Sequence, residues 1–283
     1  MLSKHEAIDR LVVAVVWALG IVLVAAPTLV RLVRVSLEDD LVSHTVTVPV
    51  VCAYLIWIVR DRIPALPSGT RWPGIPLALL GLALIAVPAP PADVLSLRVL
   101  AFCVLVWAGG LFVLGAGVMR AVAFPAAFLV FMVPLPSGLV STLETFFQRT
   151  SAEVAYHFIN WSGTAVLREG LTFTMPGIAL HVGPECSGIR SSFVLFMTAL
   201  LAGHMFLRTA WARWAFALFV IPLGIVRNAF RVFVLAMLSV HVDVSYIDSP
   251  IHHKGGPIFF ALSLIPFFLV LGLLRWLERR NTA

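Results

Sequence analysis

Long apolar runs, closed by single charges or by proline and glycine, divide this sequence. Eight of them come close to the roughly 17–25 residues that a helical bilayer crossing requires. They fall at about 11–34, 41–59, 74–91, 97–118, 119–136, 188–207, 211–240 and 255–275. The fourth and fifth abut at Met119-Arg120, which predicts a tight turn or a helical hairpin there. The seventh is long for one crossing and carries Pro222 and Gly224, so a tilt, a kink or a break into two pieces is expected.

Between the fifth and sixth runs lies a polar-flanked segment, 137–187. From Ser141 to Trp161 its apolar residues recur at helical spacing among Glu144, Gln148, Arg149 and Glu153, the pattern of an amphipathic helix lying in the interface. From Thr164 to Val182 apolar and polar residues alternate as in strands, with a hairpin turn expected at Glu169-Gly170. The chain then enters Gly-Pro-Glu-Cys-Ser-Gly-Ile-Arg-Ser. The fold expected is an all-α polytopic integral membrane protein, one membrane-embedded domain over 1–283. Its small outer cap is an amphipathic helix plus a short β-hairpin.

Composition agrees. Hydrophobic residues make up 60% of the 283 and charged residues only 12%, about half the charge of a soluble domain. The net charge of +6 does not point to nucleic acid, because the basic residues stand in ones and twos at the ends of apolar runs. The first run is too long for a signal-peptide core and lacks a small-residue cleavage site, so a retained first span is expected.

Lysine and arginine placement gives an orientation. With both termini in the cytoplasm, the inner segments collect Lys4, Arg10, Arg60, Arg62, Arg71, Arg120, Arg208, Arg213, Arg275, Arg279 and Arg280. The outer segments take Glu38, Asp39, Asp40 and most other acids, together with a minority of arginines. Segment 137–187 is then outside.

Four groups of residues bear on chemistry. Cys52 and Cys103 lie within apolar runs and read as small buried hydrophobes. Cys186 is different, because Pro184, Glu185 and Ser187 resemble the first turn or cap of the sixth span. A thiol there feels the positive end of the helix, which favours thiolate, the nucleophilic form. The bland alternative is a structural cysteine. Arg190, four residues on, is expected to share its helical face and support a site. In the seventh span Arg227 and Arg231 are four apart, with Asn228 three before Arg231, so each pair shares a face. Arginine inside an apolar helix is costly and marks a functional site by default; the alternative is a structural pair bonded to loop carbonyls. His252 and His253 stand at the mouth of the last span, before Gly255-Gly256. They suit proton transfer, or are ordinary loop histidines.

Other chemistries fit less well. His157, His181 and His241, with the 252–253 pair, show no recognised zinc spacing, and no Gly-x-Ser-x-Gly elbow occurs. Neither a metal nor another cofactor is expected. An anion transporter built on Arg227 and Arg231 would need charges along both leaflets, yet the inner halves of the spans are almost purely apolar. A noncatalytic assembly factor for envelope polymers would need none of these residues.

Three stretches together carry a resemblance. Cys-Ser-Gly-Ile-Arg-Ser at 186–191, Asn-Ala-Phe-Arg-Val at 228–232, and a histidine followed by glycines opening the last span resemble the exosortase/archaeosortase family. The resemblance implies a membrane cysteine transpeptidase of the inner membrane, working at the periplasmic face. Its partners would be exported proteins bearing a C-terminal sorting signal: a Pro-Glu-Pro-type motif, a transmembrane helix and a basic cluster. They would be cut and passed to a lipid-linked or polysaccharide acceptor. By the same resemblance Cys186 is the nucleophile that forms an acyl-thioester, Arg231 the proton donor and His252 the transition-state stabiliser. His253 is the alternative for the last role. Ser187, Gly188 and Asn228 belong to the matching stretches, whereas Arg227 is extra to the pattern.

Overall fold

The computed structural model describes residues 4–64, 69–183, 187–243 and 256–281, which are mostly helical. The chain divides into two compact units, Met1–Ser137 and Gly138–Ala283. Among the described residues six helices are long and apolar enough to cross a membrane: Val15–Glu38, Ser43–Arg62, Val94–Ala121, Ile189–Phe206, Ala210–His241 and Gly256–Arg280. Their outward residues, such as Leu23, Val24, Trp57, Leu218 and Leu269, are exposed and apolar, as a lipid-facing belt must be.

The first unit contains α1 (Lys4–Glu38), α2 (Thr47–Val59), α3 (Gly74–Ala86), α4 (Val94–Gly109), α5 (Gly115–Ala121) and α6 (Ala123–Phe128). Two of the eight expected spans shorten here. The run 74–91 is helical only to Ala86, because Pro88, Pro90 and Pro91 cannot continue it. Its 13 residues reach about 20 Å, against a hydrocarbon core of about 30 Å. The run 119–136 breaks into α6 and a 3₁₀ turn, Leu129–Met132. The turn before it falls at Val122 rather than at Met119-Arg120.

Side chains from neighbouring helices add bonds to the carbonyls of that broken segment, where backbone polar groups must be met within the protein. Cys52 Sγ donates to Pro125 O at 3.3 Å, Trp107 Nε1 to Ala126 O at 2.8 Å, and Cys103 Sγ to Leu129 O at 3.6 Å. The two cysteines are buried, as the sequence suggested, and also act as weak donors to an interrupted helix.

The second unit contains α7 (Ser137–Trp161), β1 (Leu167–Glu169), β2 (Thr172–Met175), β3 (Ile178–His181), α8 (Ile189–Phe206), α9 (Ala210–His241) and α10 (Gly256–Asn281). The amphipathic helix is present. It buries Gln148, Ala152, Ala155 and Ile159, four positions on one helical face. The expected hairpin is present too, its turn made by Gly170 at φ 63°. It gains a third strand. Pro176 and Gly177 (φ 81°) turn the chain again, and β3 pairs antiparallel with β2 from Met175↔Ile178 to Thr172↔His181.

The long seventh run is one continuous helix, α9, despite Pro222. It is the spine of this unit. Its first half packs Ala212, Phe216, Val220 and Leu223 against Leu195 and Ala199 of α8 and Phe267 and Leu271 of α10. Its second half packs Ala229, Val232 and Ala236 against Ala155 and Ile159 of α7 and Phe173, Leu180 and Val182 of the sheet segment. Arg227 and Asn228 lie where one core gives way to the other.

Two ties to charged groups hold the ends of these elements. Glu278, buried near the end of α10, accepts from Arg208 N, Thr209 N (2.7 Å) and Thr209 Oγ1, satisfying orphan donors at the start of α9. Glu278→Ala strips those donors of their acceptor and should destabilise the unit by about 1–3 kcal/mol. The apparent Tm of the detergent-solubilised protein reads this, with Glu278→Gln retaining part of the stability. On the cap, Arg168 of β1 pairs with Glu153 of α7, and the guanidinium holds the Glu153 carboxyl below its ordinary value. A depressed carboxyl pKa contributes stability above its unfolded value, lost as pH falls through the folded one. Protection of β1 against hydrogen exchange should therefore decline with acidification below about pH 4.3, the ordinary glutamate value. Glu153→Gln should flatten that dependence.

Candidate functional site

The segment entering α8 is shaped by one glycine. Gly188 has φ 70° and ψ 8°, a left-handed conformation that side-chain-bearing residues rarely adopt, and α8 begins directly after it. A Cβ on Gly188 would lie 2.9 Å from Cγ and Oδ1 of Asn228, so the backbone is pressed onto α9 there. One helical turn along α9, a Cβ on Gly224 would lie 2.5 Å from Ser192 Oγ. Small residues at both contacts let the two helices approach closely.

The carbonyl of Gly188 gathers three donors. Ser192 N gives the first helical bond at 3.0 Å, Ser191 Oγ donates at 3.2 Å, and Arg227 Nη2 donates at 3.2 Å. Arg227 Nη2 also donates to Ser192 Oγ at 3.1 Å. Ser187 is 2% exposed, and its Oγ accepts from Ile189 N at 3.4 Å, partly capping the helix. Arg227 is 8% exposed, and its Nη1 is buried without a hydrogen-bond partner among the described residues. Burying a guanidinium carries an effective penalty of several kcal/mol unless its donors are met. One open donor is a place where an anion or carbonyl would be stabilised.

Asn228 is 2% exposed and Arg231 is half-buried on the same helix. Ser187, Gly188, Arg227 and Asn228 thus meet at one crossing, with Arg231 one turn further along α9. Arg190 is exposed. It stands in the first turn of α8, which begins at Ile189 directly after Gly188, and its expected partner position 186 lies outside the described residues. Cys186, Pro184 and Glu185 lie outside the described residues, as do His252 and His253. By chain connectivity Cys186 is two residues before Gly188, so their Cα atoms lie at most about 7 Å apart.

His157, His181 and His241 are dispersed. His157 sits 3.6 Å from Glu153, His181 Nδ1 is 3.1 Å from Thr172 Oγ1, and His241 Nε2 is 3.5 Å from Thr164 Oγ1. Among the described residues no three His, Cys, Asp or Glu side chains cluster as metal ligands.

A family model described as transmembrane exosortase matches residues 36–269. The chain belongs to the transmembrane exosortase family. No curated protein and no solved structure matches it. The family match spans both units and every described site residue, Ser187, Gly188, Arg227, Asn228 and Arg231 included.

Two features of this helix crossing were not singled out from the sequence. Ser192 was not singled out, and Gly224 was read only as a kink signal in the seventh span. The signal for their contact was the pairing of small residues on two neighbouring apolar runs. Beside the crossing, an apolar cavity of about 270 Å³ opens between α9 and α10, lined by Val226, Arg227, Phe230, Phe259, Leu262 and Pro266 among others.

Gly188→Ala forces a side chain into both the left-handed conformation and the Asn228 contact. It should destabilise the second unit by about 1–3 kcal/mol. In the same melting measurement, adding Asn228→Ala should recover only the part due to the clash.

Proposed function

We propose that this exosortase is a cysteine transpeptidase that cuts the C-terminal sorting signal of exported proteins through an acyl-thioester at Cys186. The observation that carries the reading is the arginine-held carbonyl of Gly188, two residues after Cys186, inside a family match that spans both. A buried guanidinium at this point supplies positive charge beside the segment that bears the thiol, which favours thiolate.

The roles follow from chemistry. The Cys186 thiolate attacks the scissile carbonyl, forming the C–S bond. Arg231 stabilises the oxyanion of the tetrahedral intermediate, since a guanidinium holds its proton at any physiological pH. His252, or His253 beside it, protonates the leaving amine as the C–N bond breaks. An acceptor nucleophile at the membrane face, or water, then attacks the thioester and frees the thiol. Arg227 keeps the Gly188 carbonyl and the start of α8 in place. The substrate's own transmembrane helix docks laterally, and the apolar cavity between α9 and α10 is suited to receive it.

Orientation follows from the arginines. Arg208, Arg275 and Arg279 line one cavity of about 210 Å³ at the end of α8 remote from Gly188. Basic residues collect on the cytoplasmic side, so the Cys186 end faces the periplasm of an inner membrane and both termini are cytoplasmic.

The test is co-expression with a reporter bearing a Pro-Glu-Pro-type C-terminal signal. Wild type should process it, while Cys186→Ala and Cys186→Ser accumulate in the membrane without processing. Arg231→Lys should lower the rate by about 10²–10³, the usual loss of an oxyanion donor, and single alanine replacements identify which histidine acts. Processing that persists without Cys186 would refute the thioester mechanism.

A further inference from the structure

The three strands form a sheet in the order β1-β2-β3, so among the described residues β3 has a neighbour on one side only. Its pairing fixes which backbone groups are left. Val182 N donates to Leu171 O at 2.9 Å, which makes 171 and 182 a hydrogen-bonded pair. Antiparallel ladders alternate, so the pairs 173–180 and 175–178 also bond, while 172–181 and 174–179 do not. The N–H and C=O groups of Ala179 and His181 therefore point away from β2, along the outer edge of the sheet.

The side chains alternate with them. Ile178 and Leu180 are buried, as is Val182 beyond the strand, whereas Ala179 and His181 are exposed. The buried set packs with Ala229 and Val232 of α9, residues that flank Arg231 in the chain. The edge is thus held on the same stretch of helix that carries the site. Cys186 follows His181 by five positions in the chain, so their Cα atoms lie at most about 18 Å apart.

We infer that the outer edge of β3 is the docking edge for the substrate: the extended segment just upstream of the scissile bond adds beside β3 as a fourth strand. This rests on the transpeptidase reading. An extended peptide is the one partner whose backbone meets a row of open donors and acceptors at strand spacing. β3 runs toward Cys186 in chain order, so a strand added parallel to it carries its C-terminal, scissile end in the direction of the thiol. Pairing with one edge uses only every second residue of the added strand, so prolines at the intervening positions are accepted. The edge at β1 is a poorer host, because it offers the groups of Arg168 alone and leads away from Cys186.

The experiment is disulfide mapping in a Cys186→Ala background, with single cysteines stepped through the reporter upstream of its cleavage point. Ala179→Cys should cross-link most strongly at one reporter position, with weaker links two residues to either side. His181→Cys should move that maximum by two residues, and Leu167→Cys on β1 should give no cross-link. Each variant is taken forward only with a wild-type melting profile. If wild type cleaves the reporter yet the cross-links are absent, equal at consecutive positions, or as strong from β1, the edge is not where substrate binds. If wild type leaves the reporter whole, the transpeptidase reading falls and the docking proposal with it.

Discussion

A buried arginine holding a backbone carbonyl is the interaction on which the second unit depends. Arg227 spans from α9 to Gly188 O and Ser192 Oγ, at the point where α8 begins. The contact is only possible because Gly188 accepts a left-handed backbone against Asn228 and Gly224 leaves room for Ser192. It lies between the two cores that α9 organises, one with α8 and α10 and one with α7 and the sheet. A charge placed there is expensive, and Gly188 O and Ser192 Oγ meet part of its donor capacity.

The same rule governs the rest of the molecule. Polar groups among apolar helices must find partners within the protein. At the interrupted segment, Cys52 and Trp107 bond to carbonyls of α6 and Cys103 to that of Leu129 just beyond it. The exposed-looking start of α9 is tolerated because Glu278 accepts from Arg208 and Thr209. Apolar packing supplies the bulk of each unit, and these few polar ties fix where each helix starts and stops.

Much of this was legible in the chain. The last three spans and the amphipathic helix follow from apolar periodicity, and their observed bounds differ from the expected ones by a few residues. Interruptions were harder. The run 119–136 is apolar throughout, and only Pro125, Pro134 and Pro136 hinted that hydrophobicity and helix would part company. Conversely Pro222 suggested a break in α9 that packing on both sides overrides. The third strand was signalled by Pro176-Gly177, a turn dipeptide that the hairpin at Glu169-Gly170 overshadowed. The arginine cluster and the small-residue motif could be singled out one by one. That Arg227 reaches the start of α8 depends on the phase of two helices about each other, which no local pattern encodes.

The central claim is that Cys186 forms a covalent acyl intermediate beside an arginine-held helix start. Mass spectrometry of wild-type protein quenched during turnover of the reporter tests it most directly. The account predicts the upstream reporter fragment attached to the Cys186 peptide and released by hydroxylamine, as a thioester is. Turnover with no adduct at Cys186, or with a hydroxylamine-sensitive adduct on another residue, would contradict it.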